Sequence, residues 1–300
     1  MNTSTGQPVA KPQTINFTAP ATIDVAADGI ALTVFDAISK GANNTLVITC
    51  NPSEYTGLKV EPSRGLTPAS GSVFPLGDTG LDFRITIEGF TAFFPVASAQ
   101  PQFYIPYGTR VEYPDGPYRL YLVKNREVPP GATIPAGLLG SWVSQSGGVI
   151  VNFNLMNSIR VVTSSCSVES TNVQMGDKYQ LHMLRDVGDT TAPVPFKLLV
   201  KDCGKGVNRV RFTYDTLPGV TSIDGIIPLD AKSSAKGVGL KLMDDKGTLL
   251  KMKQGYTLAN YTAGAASAEL SLTAAYVRLA DDELKAGTAN ASVRFTVTYL

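Results

Sequence analysis

Four apolar side chains, Val293, Phe295, Val297 and Tyr299, alternate with Arg294, Thr296 and Thr298 in the last ten residues of the sequence. A period of two is the mark of a β-strand that buries one face, so this segment is expected to be a strand with a continuous apolar row. No turn, cap or tail follows it. A strand placed there needs a neighbour. Where the chain holds none, a second protein must supply it, and partner binding becomes part of the fold.

The rest of the chain agrees with a β-rich fold. Charged residues make up only 17%, while 28 Gly and 19 Pro imply many turns. Thr, Val and aromatic residues favour short strands. Three hundred residues suffice for one large or two ordinary domains with a sizeable core. The net charge is +1, and neither half carries the basic excess that phosphate neutralisation would require, which argues against nucleic acid as a partner.

No run reaches the roughly 18 to 20 apolar residues of a membrane-spanning helix. The opening Met1-Asn-Thr-Ser-Thr-Gly-Gln lacks the regions of a signal peptide. The chain then reads either as cytosolic or as the mature form of an exported protein, and the cysteines and the low charge favour the second. Cys166 and Cys203 flank two strand-like runs, and antiparallel pairing would bring them within disulfide reach. Such a bridge would stabilise the domain by about 4 kcal/mol in the chain-entropy model. Two buried free thiols are the alternative. Cys50 is left over, which implies a missing partner, an intermolecular bond or a buried thiol.

Strand candidates in the first half are Ile30 to Phe35, Leu46 to Cys50, Phe83 to Ile87, Tyr118 to Lys124, Val149 to Leu155 and Ile159 to Thr163. Turn-rich stretches separate them, among them Pro62-Ser-Arg-Gly, the segment from Tyr113 to Tyr118, and Val128 to Gly137. In the second half the candidates are Phe196 to Lys201, Arg209 to Tyr214, Gly239 to Met243, Ala268 to Val277 and Val293 to Tyr299. Asp244-Asp-Lys-Gly247 reads as a hairpin turn. Thr163-Ser-Ser165 marks a domain boundary, because strand patterning restarts after it and lysine usage rises from four before Cys166 to eleven after. The expected architecture is two all-β sandwich domains, residues 1–164 and 165–300. The second is immunoglobulin-like, with no sequence left for its last strand.

Several segments of residues 166–300 together resemble the pilin domain of chaperone-usher fimbriae. They are Cys166-Ser-Val-Glu-Ser, Val194 to Cys203, Gly237 to Gly247, Leu272-Thr-Ala-Ala-Tyr276 and Val293 to Tyr299. Gly287 and the penultimate Tyr299 match the C-terminal assembly motif of that family. The resemblance implies an immunoglobulin-like fold lacking its seventh strand. It also implies a groove bordered by Gly287, Val293, Phe295, Val297, Tyr299 and Leu300, into which a periplasmic chaperone inserts a strand. At the outer-membrane usher, the extension of the next fimbrial subunit would replace that strand. Here some 165 residues that read as a globular domain stand where a shaft subunit has its donor extension. The chain therefore resembles the two-domain tip adhesins of such fimbriae, expected at the fimbrial tip on the bacterial surface after passage through the periplasm.

In the first domain, Phe17 to Val25, Leu46 to Cys50 and Val128 to Gly140 resemble adhesin segments. The family's partner for the cysteine matching Cys50 lies near the mature N-terminus, where this chain has none. The mannose-binding motif of type 1 fimbrial adhesins has no counterpart that can be placed here. A sugar site needs an aromatic face together with carboxylate or amide groups on loops. The candidates are Tyr104, Tyr107, Tyr113, Asp115, Tyr118, Arg126 and Trp142. The receptor implied is a host-surface glycan; a matrix protein such as collagen is the alternative ligand, and a structural tip cap the alternative role.

Enzyme chemistry finds no support in these residues. The one histidine, His182, lies in a polar stretch, and there is no Gly-x-Ser-x-Gly elbow for a nucleophile. Two isolated thiols and one histidine do not make a zinc site. Gly237-Val-Gly239 lacks the helix and lysine of a phosphate loop. No cofactor, metal site or catalytic residue is expected.

Overall fold

The structure, a computed structural model, describes residues 11–40, 46–87, 94–96, 104–113, 116–222, 225–279 and 283–300. It is all-β, with two single-turn 3-10 helices among the described residues. The chain divides into two compact units, Met1–Thr163 and Ser164–Leu300.

In the first unit a five-stranded sheet runs in the order Tyr104–Ile105, Glu54–Val60, Gly137–Ser144, Val149–Leu155, Gln13–Phe17. All neighbours are antiparallel except the last pair, in which Gln13–Phe17 lies parallel to Val149–Leu155. A second sheet orders Leu32–Ser39, Tyr118–Lys124, Leu81–Ile87 and Phe74–Pro75. Smaller sheets join Thr133–Ile134, Ile159–Ser164 and Thr22–Ala26, and pair Leu46–Thr49 with Arg110–Tyr113. The core is aromatic. The Phe94 ring lies 4.5 Å from Trp142 and 6.1 Å from Phe153, and Tyr118 meets Phe153 edge-on at 5.6 Å.

Two of the central strands, Glu54–Val60 and Gly137–Ser144, are absent from the sequence-based expectation. Both are buried on both faces over most of their length, so neither alternates. Gly140 permits the close packing between them: a Cβ there would sit 3.3 Å from the Cα of Val60 and closer still to the Lys59 carbonyl.

Lys124 is the most deeply buried charged side chain among the described residues of this unit, 2% exposed. Its ammonium donates to the carbonyls of Ala26 (2.7 Å), Ala27 (2.6 Å) and Asp28 (3.2 Å), tying the turn after Thr22–Ala26 to the strand Tyr118–Lys124. Burial pulls its pKa below that of a free lysine. Replacing Lys124 with Met strips three carbonyls of their donor, and we expect a loss of about 1–3 kcal/mol, read as a lower melting midpoint of the first unit.

Cys50 is a free thiol with no exposed surface. Of the three expectations for it, the buried thiol holds here; a side chain so enclosed has no access to a second chain. Burial, and then the Glu54 carboxylate, push its pKa up. The folded chain should therefore resist alkylation at pH 8 and react only when denatured, as a mass-spectrometric count of modified thiols would show.

In the second unit a five-stranded sheet, Ser167–Val168, Val194–Lys201, Ala268–Arg278, Val238–Asp244, Ile226–Pro228, faces a three-stranded one, Gly255–Thr257, Val210–Thr216, Val293–Tyr299. A core including Leu198, Val200, Phe212, Tyr214, Leu240 and Leu272 lies between them, as in an immunoglobulin-like sandwich. Cys166 and Cys203 form a disulfide. The Asp244–Gly247 turn forms as expected: Asp244 Oδ1 accepts the N–H groups of Lys246 (2.9 Å) and Thr248 (2.7 Å), which lowers its pKa.

Candidate functional site

The terminal strand Val293–Tyr299 pairs with Val210–Thr216 on one side, from Val293 opposite Thr216 to Tyr299 opposite Val210. It is the edge of its sheet, and among the described residues no strand occupies its other side. Its period of two is realised: Val293, Phe295, Val297 and Tyr299 turn toward the core and stay half-buried, while Arg294 and Thr296 are exposed. Phe295 packs on Phe212 with ring centres 6.0 Å apart.

Alongside this half-covered row lies a groove of about 1010 Å³. Its floor is core: Leu198, Leu240, Leu242, Leu272 and Tyr276. Val293 and Phe295 form one wall, and residues 170–181 with Leu184 form the other. Residues 284–292, including Gly287, complete the lining. The strand therefore borders a cavity into which core side chains open.

Local hydrogen bonds hold each boundary. The Tyr276 phenol donates to the Ala289 carbonyl, and its ring meets Tyr179 edge-on at 5.5 Å. Ser292 Oγ donates to Asp230 Oδ2 (2.9 Å), and the Asp230 N–H to the Asn290 carbonyl (2.7 Å). Burial raises the pKa of the Tyr214 and Tyr276 phenols, so both stay neutral through the physiological range, and the charged residues of the lining are Asp177, Asp230 and Lys285. Gly287 lets two backbone segments touch: a Cβ would stand 2.6 Å from the Ala235 nitrogen and closer still to Ser234 Oγ.

The expected groove residues divide. Gly287, Val293 and Phe295 line the cavity. Val297, Tyr299 and Leu300 continue the same strand beyond it and are already engaged. The Tyr299 phenol donates to the Cys166 carbonyl (2.7 Å), and the Leu300 carbonyl accepts the N–H groups of Asn208 and Arg209 (both 2.7 Å). The facing wall was not foreseen. Its only sequence signal is the spacing of Val173, Met175 and Tyr179 within an otherwise polar stretch. His182 sits there, exposed, in the turn Leu181–Met183.

The candidates in the first unit are not one cluster. Tyr118 and Trp142, expected on ligand loops, are core residues, 0% and 1% exposed, and this corrects their placement. The Pro-Gly sequence before Trp142 hid the strand Gly137–Ser144, while Tyr118 opens the expected strand Tyr118–Lys124 with its ring in the core. Tyr104 and Tyr107 are exposed. Tyr113 ends the strand Arg110–Tyr113, and Asp115 lies outside the described residues. Arg126 pairs with Asp82 at 2.7 Å beside a shallow crevice formed with Asp78, Glu127, Pro129 and Pro130.

Replacing Gly287 with Ala should force the 284–290 connection off Ser234 and Ala235. We expect the second unit to lose about 1–3 kcal/mol, measured by urea unfolding, with the first unit unaffected.

A model of the family described as "Fimbrial protein" matches residues 154–300. The probable fimbrial subunit LpfE of Escherichia coli O157:H7 is 30% identical over 145 residues, 47% of this chain and 80% of that protein. The S-fimbrial protein subunit SfaG of Escherichia coli O6:K15:H31 is 28% identical over 161 residues, 52% of this chain and 86% of that protein. Among solved structures, the CupB6 tip adhesin from Pseudomonas aeruginosa aligns over 91% of this chain and 89% of its own, at 17% identity and a TM-score of 0.42. The unit that carries the groove is the part the family model spans, and the chain belongs to the fimbrial protein family.

Proposed function

We propose that this protein is a fimbrial tip adhesin whose second unit accepts a strand from a partner and whose first unit binds a host-surface receptor. The observation that carries the reading is the groove of about 1010 Å³ along the unpaired side of Val293–Tyr299. An extended segment laid there would bond to the free backbone edge and fill the cavity with alternate side chains. Covering the half-exposed row would recover on the order of 1.5–3 kcal/mol for each large side chain fully buried. Without such a segment the second unit is expected to be marginal and prone to associate.

The sequence resemblance supplies the partners: a periplasmic chaperone first, then, at the outer-membrane usher, the extension of the next fimbrial subunit. Immediately before the Cys166 strand the chain forms Ile159–Ser164 within a small sheet rather than a free extension. That supports a place at the tip, reached through the periplasm. The receptor role falls to the first unit, a separate sandwich with its own core.

The test is co-purification of the full chain with a fimbrial periplasmic chaperone. Phe295→Asp puts a charge into the groove wall and should abolish the complex, while Phe295→Leu should retain it. Undiminished complex formation by the Asp variant would sink the strand-acceptor reading.

A further inference from the structure

Within the first unit the strand directions define two ends. The parallel strands Gln13–Phe17 and Val149–Leu155 run toward Met156, whose N–H bonds to the Phe17 carbonyl (2.9 Å). The turn 145–148, which joins Gly137–Ser144 to Val149–Leu155, therefore lies at the opposite end. Glu54–Val60 is antiparallel to Gly137–Ser144, with Thr56 opposite Ser144, so Tyr55 belongs to that far end. The Gln145 N–H bonds to the Tyr55 carbonyl (2.8 Å), and the Ser146 N–H to Glu54 Oε2 (2.9 Å).

Three tyrosines gather there. Tyr55 and Tyr104 are cross-strand partners with ring centres 5.0 Å apart. Tyr104 is 41% exposed, and Tyr107, three residues on, is 68% exposed. The loop between is held by its backbone: the Tyr107 N–H bonds to Ser53 Oγ, the Gly108 N–H to the Cys50 carbonyl (both 2.9 Å), and the Thr109 N–H to the Pro106 carbonyl (3.1 Å). Gly108 takes φ +68°, where a side chain would be strained. Large aromatic faces kept in water on a fixed loop lose little entropy when covered, which is the property of a binding anchor.

We infer that Tyr55, Tyr104 and Tyr107 form a stacking platform for a neutral saccharide. The inference rests on the reading of the first unit as receptor-binding. A pyranose offers an apolar C–H face to the rings and hydroxyls to the phenols, and the platform supplies both kinds of surface. An anionic sugar would need an excess of positive charge. Arg110 is paired with Glu112 at 3.1 Å, and the Glu54 carboxylate lies at the same end, so the charged groups here carry no positive excess. The Arg126 crevice belongs to the other end: Lys124, two residues away, bonds to the carbonyls of Ala26 to Asp28, which follow a strand of the Ile159–Ser164 sheet.

The experiment is a glycan array probed with the full chain, carrying neutral, sialylated and sulfated glycans, with soluble collagen tested in parallel. Neutral glycans should be bound, and Tyr104→Ala and Tyr107→Ala should each weaken a bound glycan about tenfold or more. Tyr107→Phe should stay within a few-fold, and Arg126→Ala should have no effect, all at unchanged melting temperature. Neutral glycan binding that survives both Ala variants would overturn the platform while leaving the receptor reading intact. Binding confined to anionic glycans or to collagen would overturn the ligand class. Silence toward every probe would count against the receptor reading itself.

Discussion

A β-strand bonded on one side only carries an unmet demand on its other side, and the second unit is arranged around that demand. Val293–Tyr299 takes its hydrogen bonds from Val210–Thr216 and borders the sandwich with its free edge. Its apolar row reaches the core without being covered by it. The groove follows from this. Core side chains of the larger sheet such as Leu198, Leu240 and Leu272 pack with Phe212 and Tyr214 of the facing sheet and also line this cavity.

The groove is half set and half open. Toward Tyr299 the strand is fastened by the phenol's bond to the Cys166 carbonyl, next to the disulfide, and by the two N–H groups on the Leu300 carbonyl. Toward Val293 it borders empty space. The fastened part holds register for the backbone edge, and the open part leaves room for side chains.

The first unit meets its own demands internally. Its long central strands are buried on both faces, its aromatic core is continuous from Phe17 through Phe153 to Trp142, and a buried lysine caps three carbonyls. What it presents to solvent is loop chemistry, with exposed tyrosines at one end and the Arg126–Asp82 pair at the other. The groove and the exposed tyrosines thus lie in different compact units.

Periodicity made much of this legible in the sequence. Strands with one wet face alternate, so Tyr118–Lys124, Val149–Leu155 and Val293–Tyr299 were readable residue for residue, as was the turn at Asp244–Gly247. Strands buried on both faces carry no alternation, so Glu54–Val60 and Gly137–Ser144 were missed, and with the second of them the buried place of Trp142. The facing wall of the groove, residues 170–181, is irregular and polar, and only its place opposite Phe295 gives it a role. By itself the sequence determined that the second unit would end in a strand with an alternating apolar row, because that pattern is local. The tertiary structure alone decided where the space beside that strand lies and which tyrosines share an end of the first unit, because both depend on pairings between residues far apart in the chain.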